Sequence, residues 1–170
     1  LLREQGVKTI GRINETNFNW PTTRQDALDV LNYFCENLLI HFGDFQDSMH
    51  TDHEYLFHSR LSFAMNSKLL SQMEVIEAAV ARFRESEQTN NPIHISQIEG
   101  FVRQILGWRE FMRGIYWREM PDYQHQNQLE NRNKFPDFYW TGETKMNCLK
   151  QSINNSLDNA YAHHIQRLMI

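Results

Sequence analysis

The sequence has few of the features that mark disulfide-stabilised, membrane-spanning or strongly basic proteins. Its 170 residues include two cysteines, Cys35 and Cys148, which lie far apart and predict no disulfide framework. No apolar run approaches the roughly 18 residues that cross a bilayer, so we predict no membrane partner. A formal net charge of −4 gives no overall basic field for a nucleic-acid partner. These absences indicate a cytoplasmic protein of ordinary globular composition.

The apolar residues that are present follow a helical period. Stripes spaced three and four residues apart recur along the chain, and alternation between turn signals is missing. We therefore predict an all-α fold, a helical bundle within a single domain. Residues 121–142 are polar and aromatic, contain Pro121 and Pro136, and predict a long connection.

Start and stop signals divide this pattern into helices. Thr22 or Thr23 is predicted to cap the first helix, and Gly43 to end it. Capping boxes at residues 71–74 and 96–99 predict the starts of the second and third helices.

The last two predicted helices follow the connection. The fourth is marked by Leu149, Ile153 and Leu157, and Asp158 or Asn159 is predicted to cap the fifth. The fifth continues to Ile170 without a stop signal. We therefore expect the chain to be a piece of a longer protein.

The third predicted helix combines an apolar stripe with a glycine repeat. Gly100, Gly107 and Gly114 recur every seven residues on one face, which suits close helix packing or a flat ligand. The stripe consists of Ile98, Phe101, Ile105, Trp108, Met112 and Ile115.

The stretch FHSRLSFAMN, residues 57–66, places two hydroxyls at a predicted helix start. Ser59 and Ser62 lie three residues apart, after a turn-prone segment. Free amides and hydroxyls at the positive end of a helix suit a phosphate. The alternative is that a serine there caps the helix.

Four segments resemble the photolyase/cryptochrome family, in the family's order. HSRLS is similar to the T-S-x-L-S motif that holds the FAD pyrophosphate, with His58 in place of the threonine. GWREFMRG resembles the family's L-I-W-R-E-F segment. WTGETKMNCLKQSI resembles the segment that follows W-x-x-G-x-T-G, and AYAHHIQRLMI resembles G-W-M-H-N-R-L-R-M-I.

Two stretches, M-N-C-L at 146–149 and Y-A-H-H-I-Q-R-L-M at 161–169, resemble the bacterial iron–sulfur branch of the family, whose members repair (6-4) photoproducts. The resemblance implies that residues 1–170 are part of a helical FAD-binding domain. An N-terminal antenna domain and the C-terminal part of the helical domain are then expected to be absent. It also implies a [4Fe-4S] cluster in the full-length protein, for which Cys148 matches the first ligand. Cys35 lies on the apolar face of the first predicted helix and is predicted to be a core residue.

The resemblance also assigns roles to individual residues. His163 and His164 are expected to be catalytic, because His164 stands where (6-4) enzymes have histidine and dimer photolyases have asparagine. Trp108 is expected near the DNA lesion, and Ile105 replaces an acidic residue common in dimer photolyases. The implied FAD-binding residues are Ser59, Leu61, Ser62, Arg109, Tyr161 and Arg167.

The predicted function is light-driven repair of (6-4) photoproducts, in which reduced FAD donates an electron to UV-damaged DNA. Group transfer between the bases needs a proton donor, and imidazole titrates closest to neutrality. Two alternatives remain: a cryptochrome-like photoreceptor without repair activity, and a helical bundle with a degenerate cofactor site.

Overall fold

The protein is described here by a computed structural model that covers residues 4–12, 16 and 18–170. The regular structure among these residues consists of helices joined by turns and loops, with no strand, which confirms the all-α prediction. None of the helices in this part of the chain has the length and apolar content needed to cross a membrane. The α-helices are α1 (Arg24–Tyr33), α2 (Leu39–Phe45), α3 (Ser62–Asn66), α4 (Gln72–Ser86), α5 (Ile95–Glu119), α6 (Phe138–Thr141), α7 (Asn147–Asn159) and α8 (His164–Met169), and a short 3-10 helix, Asp122–His125, follows α5.

The helices fold into two compact units. The core unit contains α1 to α5 and comprises Trp20–Ser48 and Tyr55–Arg132. The terminal unit contains α6 to α8 and comprises Leu1–Asn19, Met49–Glu54 and Asn133–Ile170.

Aromatic side chains fill the centre of the core unit. Phe34 is completely buried, and its ring centroid lies 4.6 Å from that of Phe101 and 5.7 Å from that of Phe42. Phe101 also meets Phe42 edge to face at 5.3 Å. These contacts join the middle of the first long helical segment to α5.

Capping boxes define the starts of α1 and α4. Thr23 caps α1, and its hydroxyl accepts a hydrogen bond from the amide of Asp26. The backbone amides of Thr23 and Thr22 in turn lower the pKa of Asp26. Ser71 caps α4 together with Glu74, as predicted, and the hydrogen bond from Arg24 lowers the pKa of Glu74.

A π-helical turn, Phe34–Leu38, joins α1 to α2. The amide of Leu39 donates to the carbonyl of Phe34, five residues earlier, so the helical rod continues without a break. The prediction that Gly43 ends the first helix is therefore wrong, since Gly43 lies inside α2.

Gly43 serves instead as a contact point between α2 and α5. A Cβ atom built there would lie 2.8 Å from the backbone oxygen of Ser96, so a larger residue does not fit. The amide of Gly43 donates to Oε1 of Gln97 at 2.5 Å, and Nε2 of Gln97 donates to Asp44 at 2.9 Å. The helices approach closely because the glycine has no side chain.

The helix α5 starts two residues earlier than its predicted capping box. His94 is the N-cap, and Nδ1 of its ring accepts from the amide of Ser96 at 3.3 Å. Ser96 therefore lies in the first turn. The imidazole nitrogen takes the place of the serine hydroxyl as the capping acceptor.

The two halves of α5 have different surroundings. Ile98, Phe101 and Ile105 are buried, as the apolar stripe predicts. Trp108 and Met112, further along the same stripe, are 54% and 59% exposed. The stripe thus predicts the helix along its whole length and its buried face only as far as Ile105.

The terminal unit is held together around α7. Ser152 and Ile153 are its buried residues, and Ala160 ends the helix in the left-handed conformation. The predicted cap at Asp158 or Asn159 is therefore wrong, because α7 continues through both positions.

Arg12 links the N-terminal segment to α7 by hydrogen bonds. Its guanidinium donates to Asp158 at 2.9 Å and to the carbonyl of Thr141 at 2.7 Å. Its backbone amide donates to the carbonyl of Leu157 at 2.6 Å. Residues close to the start and close to the end of the chain therefore form one unit.

Candidate functional site

The predicted phosphate motif lies at the start of α3, in the core unit. Ser59 is half-buried, and its hydroxyl accepts from the amide of Leu61 at 3.5 Å. The side chain of Leu61 is completely buried, so a ligand would reach only its backbone. Ser62 is exposed and is the first residue of the helix. The local fold therefore presents two hydroxyls at one helix start.

The segment before α3 is fixed by rings and by one buried histidine. His58 is 7% exposed, and its Nε2 lies 3.0 Å from the carbonyl oxygen of Ser48. The guanidinium of Arg60 lies 4.0 Å from the ring centre of Tyr55 and 4.8 Å from that of Trp20. Arg60 also has a positive φ of 59°. The sequence pattern did not predict that Arg60 contacts these rings.

A cavity of about 490 Å³ lies between α1 and this segment. Ser59 lines it and Ser62 does not, so only one of the two motif serines borders the cavity. The other lining residues include Asp29, Tyr33, Tyr55, His58 and Arg60.

Arg109 lies at the C-terminal end of α3, the helix that begins with Ser62 of the phosphate motif. Its Nη2 donates to Oδ1 of Asn66, the last residue of α3, at 3.3 Å. A guanidinium on α5 thus lies against the short helix that begins with Ser62.

Trp108 is the neighbour of Arg109 on α5. Its indole is 54% exposed, and Nε1 donates to Gln104 at 3.1 Å. Its ring meets that of Phe111 edge to face at 6.4 Å. An accessible aromatic face next to a cation suits stacking against a nucleobase.

The paired histidines differ in position and burial. His163 is 7% exposed and is the N-cap of α8, whereas His164 is exposed and is the first residue of that helix. Their ring centroids lie 4.1 Å apart at 47°. The two rings therefore pack together, although one residue is buried and the other is exposed.

Tyr161 and Arg167 flank the histidines in the terminal unit. Tyr161 is buried at 8% exposure. Arg167 is exposed, and its Nε donates to the carbonyl of Ala162 at 2.9 Å. This bond ties the middle of α8 to the residue before the histidines.

The two cysteines have opposite environments. Cys35 is buried in the core unit, and burial raises the pKa of its thiol to about 11, so it does not fit a metal ligand. Cys148 is exposed in the first turn of α7. A [4Fe-4S] cluster takes four thiolates. Of the two cysteines in the chain, Cys148 alone has an environment that suits a ligand.

The structure groups the predicted site residues into two sets. The core unit holds Ser59, Leu61, Ser62, Trp108 and Arg109, and the terminal unit holds Cys148, Tyr161, His163, His164 and Arg167. Sequence reasoning missed Gln166 and Asn155, whose side chains contact the histidine segment. The spacing of Gln166, three residues after His163, matches a capping box and was the available signal.

The chain is similar in sequence to a photolyase. It is 48% identical over 154 residues to a (6-4) photolyase of Agrobacterium fabrum. This match confirms the resemblance to the photolyase/cryptochrome family that the four motifs predicted. It covers 91% of the chain and 29% of that photolyase, so the chain spans less than a third of the relative's length.

A second relative comes from a virus. The chain is 28% identical over 112 residues to an uncharacterized protein of Acanthamoeba polyphaga mimivirus. This match covers 66% of the chain and 82% of the viral protein. No protein-family model matches the chain.

Proposed function

We propose that this sequence belongs to a protein that repairs (6-4) photoproducts in UV-damaged DNA with the energy of light. The observation that carries the proposal is the 48% identity, over 91% of the chain, to a (6-4) photolyase. The activity is proposed for a complete photolyase containing this sequence, because the match covers 29% of the relative.

Within that protein, residues 1–170 would form part of a helical FAD-binding domain. The hydroxyls of Ser59 and Ser62 would bind the FAD phosphates at the start of α3. Support comes from Ser62, which is exposed as the first residue of that helix. Arg109, whose guanidinium contacts the last residue of the same helix, would lie in the flavin pocket. Reduced FAD, when bound, would supply the electron for repair.

The histidines would handle the proton that group transfer between the bases requires. His164 is exposed, so its ring is accessible to a substrate and can donate a proton. His163 is buried as the cap of α8, so it would position its neighbour. Tyr161 and Arg167 would line the flavin pocket from the same segment, and Trp108 would contact the lesion through its exposed indole.

An iron–sulfur cluster cannot be assembled from this chain. Cys148 is proposed as one ligand because it is exposed, and the remaining thiolates would have to come from other residues. No step of the repair reaction depends on this assignment.

The direct test is a chimera in which this chain replaces the matching segment of the Agrobacterium fabrum photolyase. Repair of a (6-4) photoproduct in an oligonucleotide is followed by chromatography under blue light, alongside flavin absorbance. We expect the chimera to repair the lesion. His164→Ala should lower the repair rate about 100-fold or more with unchanged flavin content, because a general acid is lost.

His125→Ala is the matched control, since His125 is an exposed histidine outside the proposed site. It should leave repair and flavin content at the level of the chimera. A chimera that binds flavin and responds to light without repairing DNA would favour the photoreceptor. A chimera that folds without flavin would favour a degenerate cofactor site.

The phosphate motif is tested by flavin affinity. Ser59→Ala combined with Ser62→Ala removes two hydroxyl donors, each contributing about 1.5–3 kcal/mol with a charged partner. Flavin binding by the chimera should weaken tenfold or more, as measured by fluorescence titration. Ser67→Ala, at the other end of α3, is the control and should bind flavin normally. Equal affinity in both variants would mean that Ser59 and Ser62 serve only the local fold.

A further inference from the structure

The backbone of His163 is held by a side chain from its own helix. Oε1 of Gln166 accepts from the amide of His163 at 2.9 Å. In return, Nδ1 of His163 accepts from the amide of Ile165 at 3.4 Å. This reciprocal capping box fixes the histidine at the first turn of α8.

Gln166 is in turn held by α7. Nδ2 of Asn155 donates to Oε1 of Gln166 at 3.2 Å, so this oxygen accepts two hydrogen bonds. Oδ1 of Asn155 accepts from Nδ2 of Asn159 at 2.9 Å. The amide of Asn155 donates through Nδ2 and accepts through Oδ1, and Oε1 of Gln166 accepts twice, so the network defines the orientation of both side chains. The histidine cap is therefore anchored to a 13-residue helix.

This geometry also defines the protonation of the ring. A nitrogen that accepts a hydrogen bond must keep its lone pair, so Nδ1 of His163 carries no proton. The proton of the neutral ring then lies on Nε2. The ring of His164 packs against this ring at a centroid distance of 4.1 Å. Fixing one ring therefore restricts the position of the other.

We infer that Gln166 and Asn155 are positioning residues, which hold His163 in its Nε2–H tautomer and thereby orient His164. Their catalytic consequence rests on the proposed function, since it concerns the histidines assigned to the repair reaction. The hydrogen-bond network itself is independent of that assignment. The two parts are therefore tested by separate measurements.

The network is tested by NMR on the 170-residue chain labelled with nitrogen-15. Gln166→Met keeps the length of the side chain and removes the acceptor. The amide of His163 should then exchange with solvent about tenfold faster or more, because one hydrogen bond is lost. The Nδ1 and Nε2 signals of His163 should move towards those of a mixture of tautomers.

Two further variants and one built-in control make this result specific. Gln166→Glu keeps an acceptor oxygen and should preserve both the slow exchange and the tautomer. Asn155→Ala leaves the capping box but removes its anchor, so exchange at His163 should rise less than in Gln166→Met. His94 caps α5 in the core unit by the same Nδ1 geometry and should not change in any variant.

The inference is overturned if Gln166→Met leaves the tautomer and the exchange rate of His163 unchanged. If that variant fails to form α8, Asn155→Ala decides the question by the same two readouts.

The catalytic consequence is measured in the chimera with the Agrobacterium fabrum photolyase. Gln166→Met should lower the repair rate at normal flavin content, and Gln166→Glu should restore it. Normal repair by Gln166→Met would show that the network does not act on the reaction. A chimera with the parental sequence that fails to repair DNA would contradict the proposed function alone, and the NMR result would still decide the network.

Discussion

The two halves of α5 have the same apolar spacing and different surroundings. In the first half, Phe101 is 2% exposed and contacts the rings of Phe34 and Phe42. In the second half, Phe111 is 59% exposed and contacts the ring of Trp108. Apolar periodicity predicts that a helix forms and which face is apolar. It does not predict what covers that face.

The glycines of the repeat also differ between the two halves of α5, with Gly100 in the buried half and Gly107 and Gly114 in the exposed half. At Gly100, a built Cβ atom would lie 3.5 Å from Cα of Gly43, which is ordinary packing distance. At Gly107 and Gly114, a built Cβ atom would have no atom of the described residues within 4 Å apart from the adjoining backbone of α5 itself. The packing interpretation of the repeat is therefore confirmed at Gly100. At the other two glycines, the flat-ligand interpretation stays a prediction.

The largest expected effect comes from removing a ring in the buried half. Phe101→Ala should lower the free energy of unfolding by about 3–5 kcal/mol, because it leaves a cavity between Phe34 and Phe42. Phe111→Ala is the matched change in the exposed half and should stay within about 0.5 kcal/mol. Urea unfolding followed by circular dichroism measures both. Similar losses in the two variants would mean that the exposed half is covered in solution.

A smaller loss is expected where α5 meets α2. Gly43→Ala places a Cβ atom 2.8 Å from the backbone oxygen of Ser96, and neither helix backbone moves easily. Overpacking of this kind costs about 1–3 kcal/mol, offset by about 1 kcal/mol of better helix propensity. We expect a net loss of stability in the same urea experiment. A stabilised Gly43→Ala variant would contradict the close approach of the two helices.

Gly114→Ala should have the opposite sign. The space around Gly114 is open among the described residues, so the added methyl group meets no clash. The chain should gain up to about 1 kcal/mol from helix propensity, seen as a higher melting temperature. Destabilisation by this methyl group would show that another segment packs against the second half of α5.

The smallest effects should come from the ion pairs on the flanks of α5. Arg103 lies 3.1 Å from Glu99 in the first half, and Arg113 lies 3.6 Å from Glu110 in the second. All four side chains are mostly exposed, so Arg103→Gln and Arg113→Gln should each change stability by less than about 1 kcal/mol. Equal effects in thermal unfolding would confirm that apolar burial, rather than charge, distinguishes the two halves. A large loss in one variant would contradict this.

The sequence predicted the elements of the fold better than their ends. The helix started by Ser71 was predicted correctly, because serine and Glu74 form the standard pair of capping groups. The start of α5 was misplaced by two residues, because an imidazole nitrogen of His94 replaced the expected hydroxyl acceptor. The prediction of a helix stop at Gly43 is wrong, because a glycine inside a helix and one after it look the same in sequence.

The candidate site was predicted from motifs, and its local contacts were not. Nothing in the spacing of HSRLS indicates that Arg60 lies between two aromatic rings, since Trp20 is distant in sequence. The contact between Arg109 and Asn66 likewise joins residues 43 positions apart. Periodicity and motif order describe one element at a time. Contacts of this kind depend on how several elements pack together.

The π-helical turn has a consequence for how the chain tolerates insertions and deletions. Such a turn behaves as one surplus residue that a long helix has absorbed without breaking. Deleting Glu36, an exposed residue within it, would let regular hydrogen bonds run from Arg24 to Phe45 and would leave the later residues on the faces that they now occupy. Phe42 would then stay in the aromatic cluster, and Gly43 would still face Ser96. A deletion in a regular α-helical turn would instead rotate every later residue by about 100°, so the π-helical turn is the place where this helix tolerates the loss of one residue.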